Sequence, residues 1–241
     1  MEQRAFRKGM DMSEERQTYR ISAGNGLVMG PHDPAVKRSV IDLAKEPADV
    51  NFAEAEYHLA HMLNSLGIDI ANPHLEDTPK RVVAMYRELF FMDPWEFTTF
   101  PIDEYTPGGE GDPGIVVQRD IPVHSLCAHH MAPFVGVAHV AYIPHMRMVG
   151  LSKLARTVAT FAKGLQTQED IGSHAADFLS KQLEPLGVAV LIECEHMCMT
   201  LRGVKAHNAR TITVALRGVF MRDPQARAEV TSLLTMSNGR V

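Results

Sequence analysis

The predicted strands of this chain come in two consecutive pairs, and a pair of helices lies between the pairs. Segments rich in valine, alanine and isoleucine and bounded by turn residues predict the four strands at residues 114–120, 134–143, 188–195 and 210–220. Apolar residues at helical spacing predict the helices between them at 152–163 and 167–183. A parallel sheet would need helices alternating with strands, so we expect an α+β fold with an antiparallel four-stranded sheet and helices on one face. The edges of such a sheet are protected by closure or by pairing with another copy.

Two helices are predicted before the first strand and one after the last. Apolar residues recur at helical spacing from Phe52 to Leu66, and a second helix begins with a capping Asp77 and a first-turn Pro79. The last helix spans 224–234. Residues before Asp49 show little periodicity, and the stretch from 91 to 114 is rich in proline and glycine and predicts a loop. We expect a flexible N-terminal extension at 1–48, a helical region at 49–92 and a catalytic domain at 93–241.

Composition excludes several classes of function. The chain has 241 residues and a formal net charge of −5, and it has no long run of lysine and arginine, so we expect neither nucleic-acid binding nor attachment to an anionic membrane. No signal peptide is visible at the N-terminus, and no segment approaches the roughly 20 apolar residues of a membrane span. Three cysteines without a framework spacing favour a reducing compartment, and we expect a cytoplasmic protein.

Two short segments far apart in the sequence carry the side chains of a metal site. Cys127, His130 and Cys198 offer two thiolates and one imidazole, which leaves a fourth tetrahedral position for water, as in catalytic zinc sites. His129 and His196 remain beside these ligands, where they could move protons near neutral pH. The pattern alone fits several zinc hydrolases.

A third cysteine lies close to this pattern. Cys194 precedes Cys198 by four residues on the same predicted strand, so it could compete as a ligand or fill the core as a small apolar side chain. Free cysteine is among the residues most often buried, and we therefore expect Cys194 to be a core residue.

The chain resembles the GTP cyclohydrolase I family over residues 49–236. The resemblance is carried by blocks in the family's order: Asp77-Thr78-Pro79-Lys80-Arg81-Val82, Cys127-Ala128-His129-His130, Ala141-Tyr142-Ile143-Pro144, Gly150-Leu151-Ser152-Lys153, Gln166-Thr167-Gln168-Glu169, His196-Met197-Cys198-Met199 and Arg202-Gly203-Val204. It implies a tunnelling fold (T-fold), with the sheets of a five-membered ring joined into a barrel. It further implies a homodecamer of two stacked rings and active sites shared between subunits.

The resemblance also implies a reaction and roles for the leftover histidines. The family opens the imidazole ring of GTP with a zinc-activated water, releases formate and forms 7,8-dihydroneopterin triphosphate. His196 matches the proton donor to purine nitrogen 7, while His129 and Ser152 match residues assigned to proton transfers on the ribose. Ser152 also stands where a helix N-cap is expected, which by itself could explain a serine there.

The remaining matches concern binding of GTP. Lys153 and Arg156 are three residues apart at the start of one predicted helix and share a face. The resemblance implies that cations bind the triphosphate and that polar side chains bind guanine. The implied phosphate-binding residues are Lys153, Arg156, Arg202 and, from a neighbouring subunit, Arg81. The implied guanine-binding residues are Gln168 and Glu169.

Three positions depart from the family's usual pattern: Ala128 replaces a glutamate, Ala84 replaces a lysine, and Val214 replaces a serine. The first two affect substrate binding, so two alternatives remain: a divergent paralogue that uses a related purine nucleotide, or one that stops at the ring-opened formamide. A third alternative is a non-catalytic, zinc-stabilised ring that binds a pterin or purine. A zinc-independent enzyme is disfavoured by two thiolates converging on one imidazole.

Overall fold

The computed structural model describes residues 37–102 and 114–236, which form seven helices and eight strands. In chain order these are β1 (Lys37–Ile41), α1 (Phe52–Ser65), α2 (Thr78–Phe90), β2 (Trp95–Pro101), β3 (Val116–Cys127), β4 (Pro133–Ile143), β5 (Arg147–Val149), α3 (Leu151–Phe161), β6 (Leu165–Gln166), α4 (Gln168–Leu183), β7 (Gly187–His196), α5 (Met197–Thr200), β8 (Thr211–Gly218), α6 (Val219–Arg222) and α7 (Pro224–Thr235). Within these described ranges, no helix has the length and apolar character required to cross a bilayer.

The main sheet contains the four predicted strands. Its order is β6-β3-β4-β7-β8, and the pairs β3–β4, β4–β7 and β7–β8 are antiparallel. The predicted α+β class with an antiparallel core is therefore confirmed. The prediction of four strands is incomplete, because the two-residue β6 adds a fifth strand that runs parallel to β3 at Leu126 and Cys127. Two residues are too few to produce a periodic pattern in the sequence.

Both faces of the main sheet are covered. Alternate side chains of β7, such as Val188 and Val190, lie in the large core cluster that also contains residues of α3 and α4. The residues between them, Ala189 and Leu191, belong to a second cluster that includes residues of α6 and α7. The prediction of helices on one face is therefore wrong. A strand buried on both faces loses its polar alternation, and the apolar run 188–192 matches that pattern.

Local signals explain where the predicted helices begin and end. The Thr167 hydroxyl accepts a hydrogen bond from the Asp170 backbone N–H and so caps α4, which ends at Glu184 in the left-handed conformation (φ 48°). Asp223 caps α7 in the same way, and its proline is in the first turn. Asp77 occupies the cap position of α2, but its carboxylate pairs with Arg81 instead of a backbone N–H.

A second, three-stranded sheet was not predicted. Its order is β1-β2-β5, with antiparallel pairs. Lys37–Ile41 is a strand near the end of the segment predicted as a flexible extension, and the predicted loop is wrong for Trp95–Pro101. Strand β2 alternates between buried and exposed residues, and its Trp95 Nε1 donates to Thr160 Oγ1 of α3 at 3.0 Å. The parts of these two predictions at 1–36 and 103–113 lie outside the described residues, and the proposed domain boundaries stay predictions.

Candidate active site

The proposed metal ligands come from the ends of two strands that share one neighbour. Cys127 is the last residue of β3, and Cys198 lies in α5, which directly follows β7. Strand β4 pairs with both β3 and β7, with Leu126 opposite Pro133 and His196 opposite Phe134. The start of β4 therefore brings together ligands that are distant in sequence.

A tight turn places the third ligand. The backbone N–H groups of His130 and Met131 donate to Cys127 O at 3.3 and 2.8 Å, and Met131 has a φ of 53°. This turn folds the His130 ring back toward the preceding thiol, and His130 Nδ1 is 3.8 Å from Cys127 Sγ.

The three ligand atoms fit a tetrahedral metal ion. Cys127, His130 and Cys198 place one sulfur or nitrogen atom each within 4.8 Å of one another. Zinc bonds of about 2.3 Å to sulfur and about 2.0 Å to nitrogen imply ligand separations of roughly 3.5 to 3.8 Å, so small side-chain shifts suffice. Burial, followed by the neighbouring Cys127, raises the pKa of the Cys198 thiol. A cation between the sulfurs would offset this effect, and the three residues can therefore hold a metal.

Cys194 is separate from this cluster. Its side chain is fully buried in the large core, and burial raises the pKa of its thiol to about 12. The prediction that Cys194 fills the core is confirmed.

The structure distinguishes the two neighbouring histidines of the turn. His129 Nδ1 is also 3.8 Å from Cys127 Sγ, but His129 is not part of the three-way cluster. Its ring is exposed, and its centroid is 6.4 Å from that of His130. His129 is therefore adjacent to the metal ligands and open to a substrate.

His196 is held from two sides. Its ring stacks on buried Phe134 with centroids 4.5 Å apart and an interplanar angle of 9°, and its Nε2 is 2.8 Å from Gln168 Oε1. Burial lowers the pKa of His196, and the nearby Glu169 carboxylate opposes that shift. His196 is therefore more rigidly placed than His129.

These residues lie in a segment that a sequence model of a known family matches. The model, described as GTP cyclohydrolase I, matches residues 55–235. The chain belongs to the GTP cyclohydrolase I family. This family of hydrolases is the one that the sequence blocks indicated, so the resemblance is confirmed.

Relatives within the family cover most of the chain. The GTP cyclohydrolase 1 of Geobacillus sp. (strain WCH70) is 47% identical over 189 residues, which is 77% of this chain and 97% of that protein. The GTP cyclohydrolase 1 of Bacillus cereus (strain B4264) is 46% identical over 191 residues, 78% of this chain and 98% of that protein. Among solved structures, the apo archaeosine synthase QueF-Like matches 44% of this chain and 95% of that chain with a TM-score of 0.37 and 15% identity, which is too low to bear on function.

Only some of the residues matched to GTP binding lie close to the metal ligands. Arg202 Nη1 is 3.4 Å from His130 Nε2, so its guanidinium lies beside the metal cluster. Four others make no hydrogen bond or ion pair with the metal ligands in the part of the chain that the structure describes: Arg81, Ser152, Lys153 and Arg156. The cap of α3 is Gly150, so the prediction that Ser152 is a helix N-cap is wrong.

The two residues matched to guanine binding point to different surroundings. Glu169 is exposed and lines a groove of about 340 Å³ between α4 and β8, together with Ser173, Thr213 and Arg217. Gln168 is only 1% exposed and lies beneath His196. The side chain of Gln168 is therefore not part of the open groove.

Two residues around His196 were missed by sequence reasoning. Phe134 is the stacking partner, and Thr213 Oγ1 accepts from Gln168 Nε2 at 3.1 Å. Phe134 could have been found, because the predicted strands 134–143 and 188–195, once paired antiparallel, place it near His196. Thr213 gave no signal, since a threonine in a strand is ordinary.

The departures from the family pattern lie outside the metal ligands. Ala128 is exposed in the turn between Cys127 and His130, and its backbone N–H donates to Gln166 O at 3.0 Å. Ala84 is exposed on α2, and Val214 is 49% exposed on β8. The metal cluster is complete without them.

Proposed function

We propose that this chain is a zinc-dependent GTP cyclohydrolase that opens the imidazole ring of GTP, releases formate and forms 7,8-dihydroneopterin triphosphate. The observation that carries the proposal is the cluster of Cys127, His130 and Cys198 with His196 beside it, in a chain of this family. Two thiolates with one imidazole favour zinc over the harder cations, which prefer oxygen ligands. Zinc held there would lower the pKa of a coordinated water to about 7 and supply a nucleophile at neutral pH.

His196 acts on the purine. As water adds to carbon 8, nitrogen 7 gains electron density, and His196 in its charged form donates a proton to that nitrogen and becomes neutral. Fixed placement supports this role, since its ring stacks on Phe134 at 4.5 Å and contacts Gln168 at 2.8 Å. A positioned general acid contributes roughly 100- to 10,000-fold to such a step.

His129 and Ser152 act on the sugar after formate has left. Opening and rearrangement of the ribose require protons to be moved between its oxygens. Both side chains are exposed, which supports contact with a bound substrate. His129 lies within 3.8 Å of Cys127 Sγ and can reach a ligand held at the metal.

Cations and one carboxylate bind the rest of GTP. The net charge of −5 requires a local concentration of positive charge for a triphosphate. Arg202, Lys153 and Arg156 supply it, Lys153 and Arg156 from the first turns of α3, where the helix dipole adds to their charge. Arg81 joins them from a neighbouring subunit. Glu169, in its groove, accepts hydrogen bonds from the amino and ring N–H groups of guanine.

The active assembly is a homodecamer of two stacked pentamers, in which the sheets join into a barrel. Strand β8 is an edge of the main sheet and exposes Ile212 (60%) and Val214 (49%). An edge with exposed apolar side chains is suited to pairing with a second copy.

A divergent activity is the second candidate, and the observation that favours it is Ala128. Its exposed side chain lies in the turn that carries two of the metal ligands, at the position where the family usually has glutamate. Loss of that carboxylate would weaken substrate binding or stop the reaction at the ring-opened formamide.

One assay separates these possibilities. Zinc-loaded protein is incubated with GTP, and formate, the ring-opened formamide and, after oxidation, the fluorescent pterin are quantified. We expect formate and pterin in equal amounts, and both to form at least about 100-fold more slowly in a His196→Asn variant that retains zinc. Formate without pterin, or formamide alone, means arrest midway. Absence of all three products, with zinc bound, contradicts the proposal and favours a non-catalytic ring.

A further inference from the structure

The side-chain amide of Gln168 has only one orientation that its surroundings allow. Its nitrogen Nε2 lies 2.9 Å from Ile192 O and 3.0 Å from Thr211 O, and 3.1 Å from Thr213 Oγ1. Carbonyl oxygens only accept hydrogen bonds, so the NH₂ group must face them. A flipped amide would place its oxygen against two carbonyl oxygens in a site that is 1% exposed. The amide oxygen Oε1 therefore faces His196.

This orientation determines which nitrogen of His196 carries hydrogen. Oε1 can only accept, and it lies 2.8 Å from His196 Nε2. Nε2 must then be an N–H donor, in the neutral ring as well as in the charged one. The other nitrogen, Nδ1, is left as the ring atom that can gain or lose a proton. The stack on Phe134, with an interplanar angle of 9°, restricts tilting of the ring out of this arrangement.

We propose that Gln168 is a positioning residue that holds His196 as its Nε2–H tautomer, and that Thr213 is a second positioning residue that acts through Gln168. This role replaces the guanine contact predicted for Gln168 from the sequence. Strands β7 and β8 hold the Gln168 amide in place, because they provide its hydrogen-bond acceptors and because Ile192 and Thr213 are opposite each other in the β7–β8 register. The inference rests on the proposed function in one respect, which is that His196 exchanges a proton with the substrate.

The geometry predicts a larger contribution to the placement of His196 from Gln168 than from Thr213. Gln168 makes the direct contact with His196, and without it the ring loses the one hydrogen bond at Nε2 that the described residues provide. Thr213 shares the two amide hydrogens of Gln168 with two backbone carbonyls, which remain if its hydroxyl is removed. We therefore expect a large kinetic effect at Gln168 and a smaller one at Thr213.

The tautomer is measured directly, without reference to turnover. Solid-state ¹⁵N NMR is recorded on zinc-loaded protein labelled at the histidine ring nitrogens, at a pH where the rings are neutral, and His196 is assigned by difference from His196→Asn. We expect hydrogen on Nε2 and none on Nδ1. In Gln168→Met, which keeps the side-chain length, we expect a mixture of both tautomers. Hydrogen on Nδ1 in the wild-type ring overturns the proposal.

Kinetics test whether this restraint serves the reaction. We expect Gln168→Met to lower kcat for formate release about 10- to 100-fold, as misplaced catalytic groups do, with little change in KM for GTP. Thr213→Val should lower kcat about fivefold, in proportion to one net hydrogen bond, and Thr213→Ser should restore it. Thr98→Val on β2 removes a half-buried hydroxyl that has no hydrogen bond among the described residues, and it should leave kcat unchanged.

The outcomes separate this inference from the proposed function. A raised KM with unchanged kcat in Gln168→Met means that Gln168 binds guanine, and it overturns the positioning role while the cyclohydrolase function stands. Full activity of a zinc-loaded His196→Asn variant contradicts the proton-donor role of His196 instead. If Gln168→Met does not fold, Thr213→Val and the wild-type ¹⁵N spectrum still decide the matter.

Discussion

Gly136 on β4 is a position where a single methyl group should disrupt both the sheet and the metal centre. A Cβ atom added there would lie 1.9 Å from Glu193 O, 2.7 Å from Cys194 Cα and 2.8 Å from Cys194 Sγ, all on β7. Two of these atoms are backbone, so no side chain can rotate to make room. Gly136→Ala therefore requires β4 and β7 to separate by more than an ångström around the Gly136–Cys194 pair.

The expected cost follows from the hydrogen bonds lost in that separation. About two backbone hydrogen bonds of a buried ladder would be broken, which leaves two donors and two acceptors unsatisfied, and at about 1 kcal/mol or more for each group we expect a loss of at least about 4 kcal/mol. The metal site should weaken as well. Gly136 is two residues from Phe134, whose partner His196 directly precedes the helix that carries Cys198.

Gly172 provides the matched control. It lies inside α4, and a Cβ there would meet its nearest neighbours at 3.6 and 3.8 Å, which is ordinary contact. Gly172→Ala should therefore stabilise the protein by about 0.5–1 kcal/mol through helix propensity. Urea denaturation and zinc analysis of both variants provide the measurement. An unfolding free energy of Gly136→Ala within 1 kcal/mol of wild type, with zinc retained, would refute the steric argument.

Further predictions concern the metal, acid stability and substrate affinity. Cys198→Ser should lower bound zinc well below one ion per chain while Cys194→Ala leaves it near one, by metal analysis; equal loss in both would contradict the assignment. Burial lowers the pKa of His139 below its ordinary 6.5, with Asp120 and Glu193 opposing this and Arg119 adding to it, so the unfolded chain binds more protons in acid. The free energy of unfolding should therefore fall as the pH drops below about 6.5, and it should fall less steeply in His139→Gln. Urea denaturation at several pH values measures this, and the same pH dependence in both proteins would contradict it. Ala128→Glu should lower KM for GTP severalfold, since the exposed site can accept a larger side chain; an unchanged KM would mean that the departure is neutral.

The sequence predicts those elements whose signals are local. Helix α4 has a capping Thr167, an apolar face and Pro185 shortly after its end, and the structure bounds it at Gln168–Leu183. Strand β2 was missed because Pro94 precedes it and Pro101 is its last residue, although its Trp95 and Phe97 alternate as a strand requires. Its stability comes from pairing with distant strands, which local patterns do not encode.

The residues of the candidate site likewise fall into those with a local sequence signal and those whose surroundings depend on strand pairing. Cysteine and histidine have few alternative uses at such spacing, so Cys127, His130 and Cys198 could be identified from the sequence. The surroundings of His196 could not, because they depend on which strands pair. Gln168 resembles an exposed residue at a helix start, and only the β7–β8 pairing surrounds its amide with the acceptors Ile192 O and Thr211 O.

The register between β4 and β7 is therefore the feature on which the site depends. A shift by one residue would turn every side chain of β7 to the opposite face, so His196 would lose both Phe134 and Gln168. The Gly136–Cys194 pair opposes such a shift, because Cys194 lies where the side chain of any other residue on β4 would have to lie. After a slip by one residue, Cys194 would be opposite Val135 or Val137, and a glutamate would be opposite Gly136. Gly136 thus supports the metal centre by allowing β4 to lie close to β7, and the buried third cysteine packs there without binding the metal.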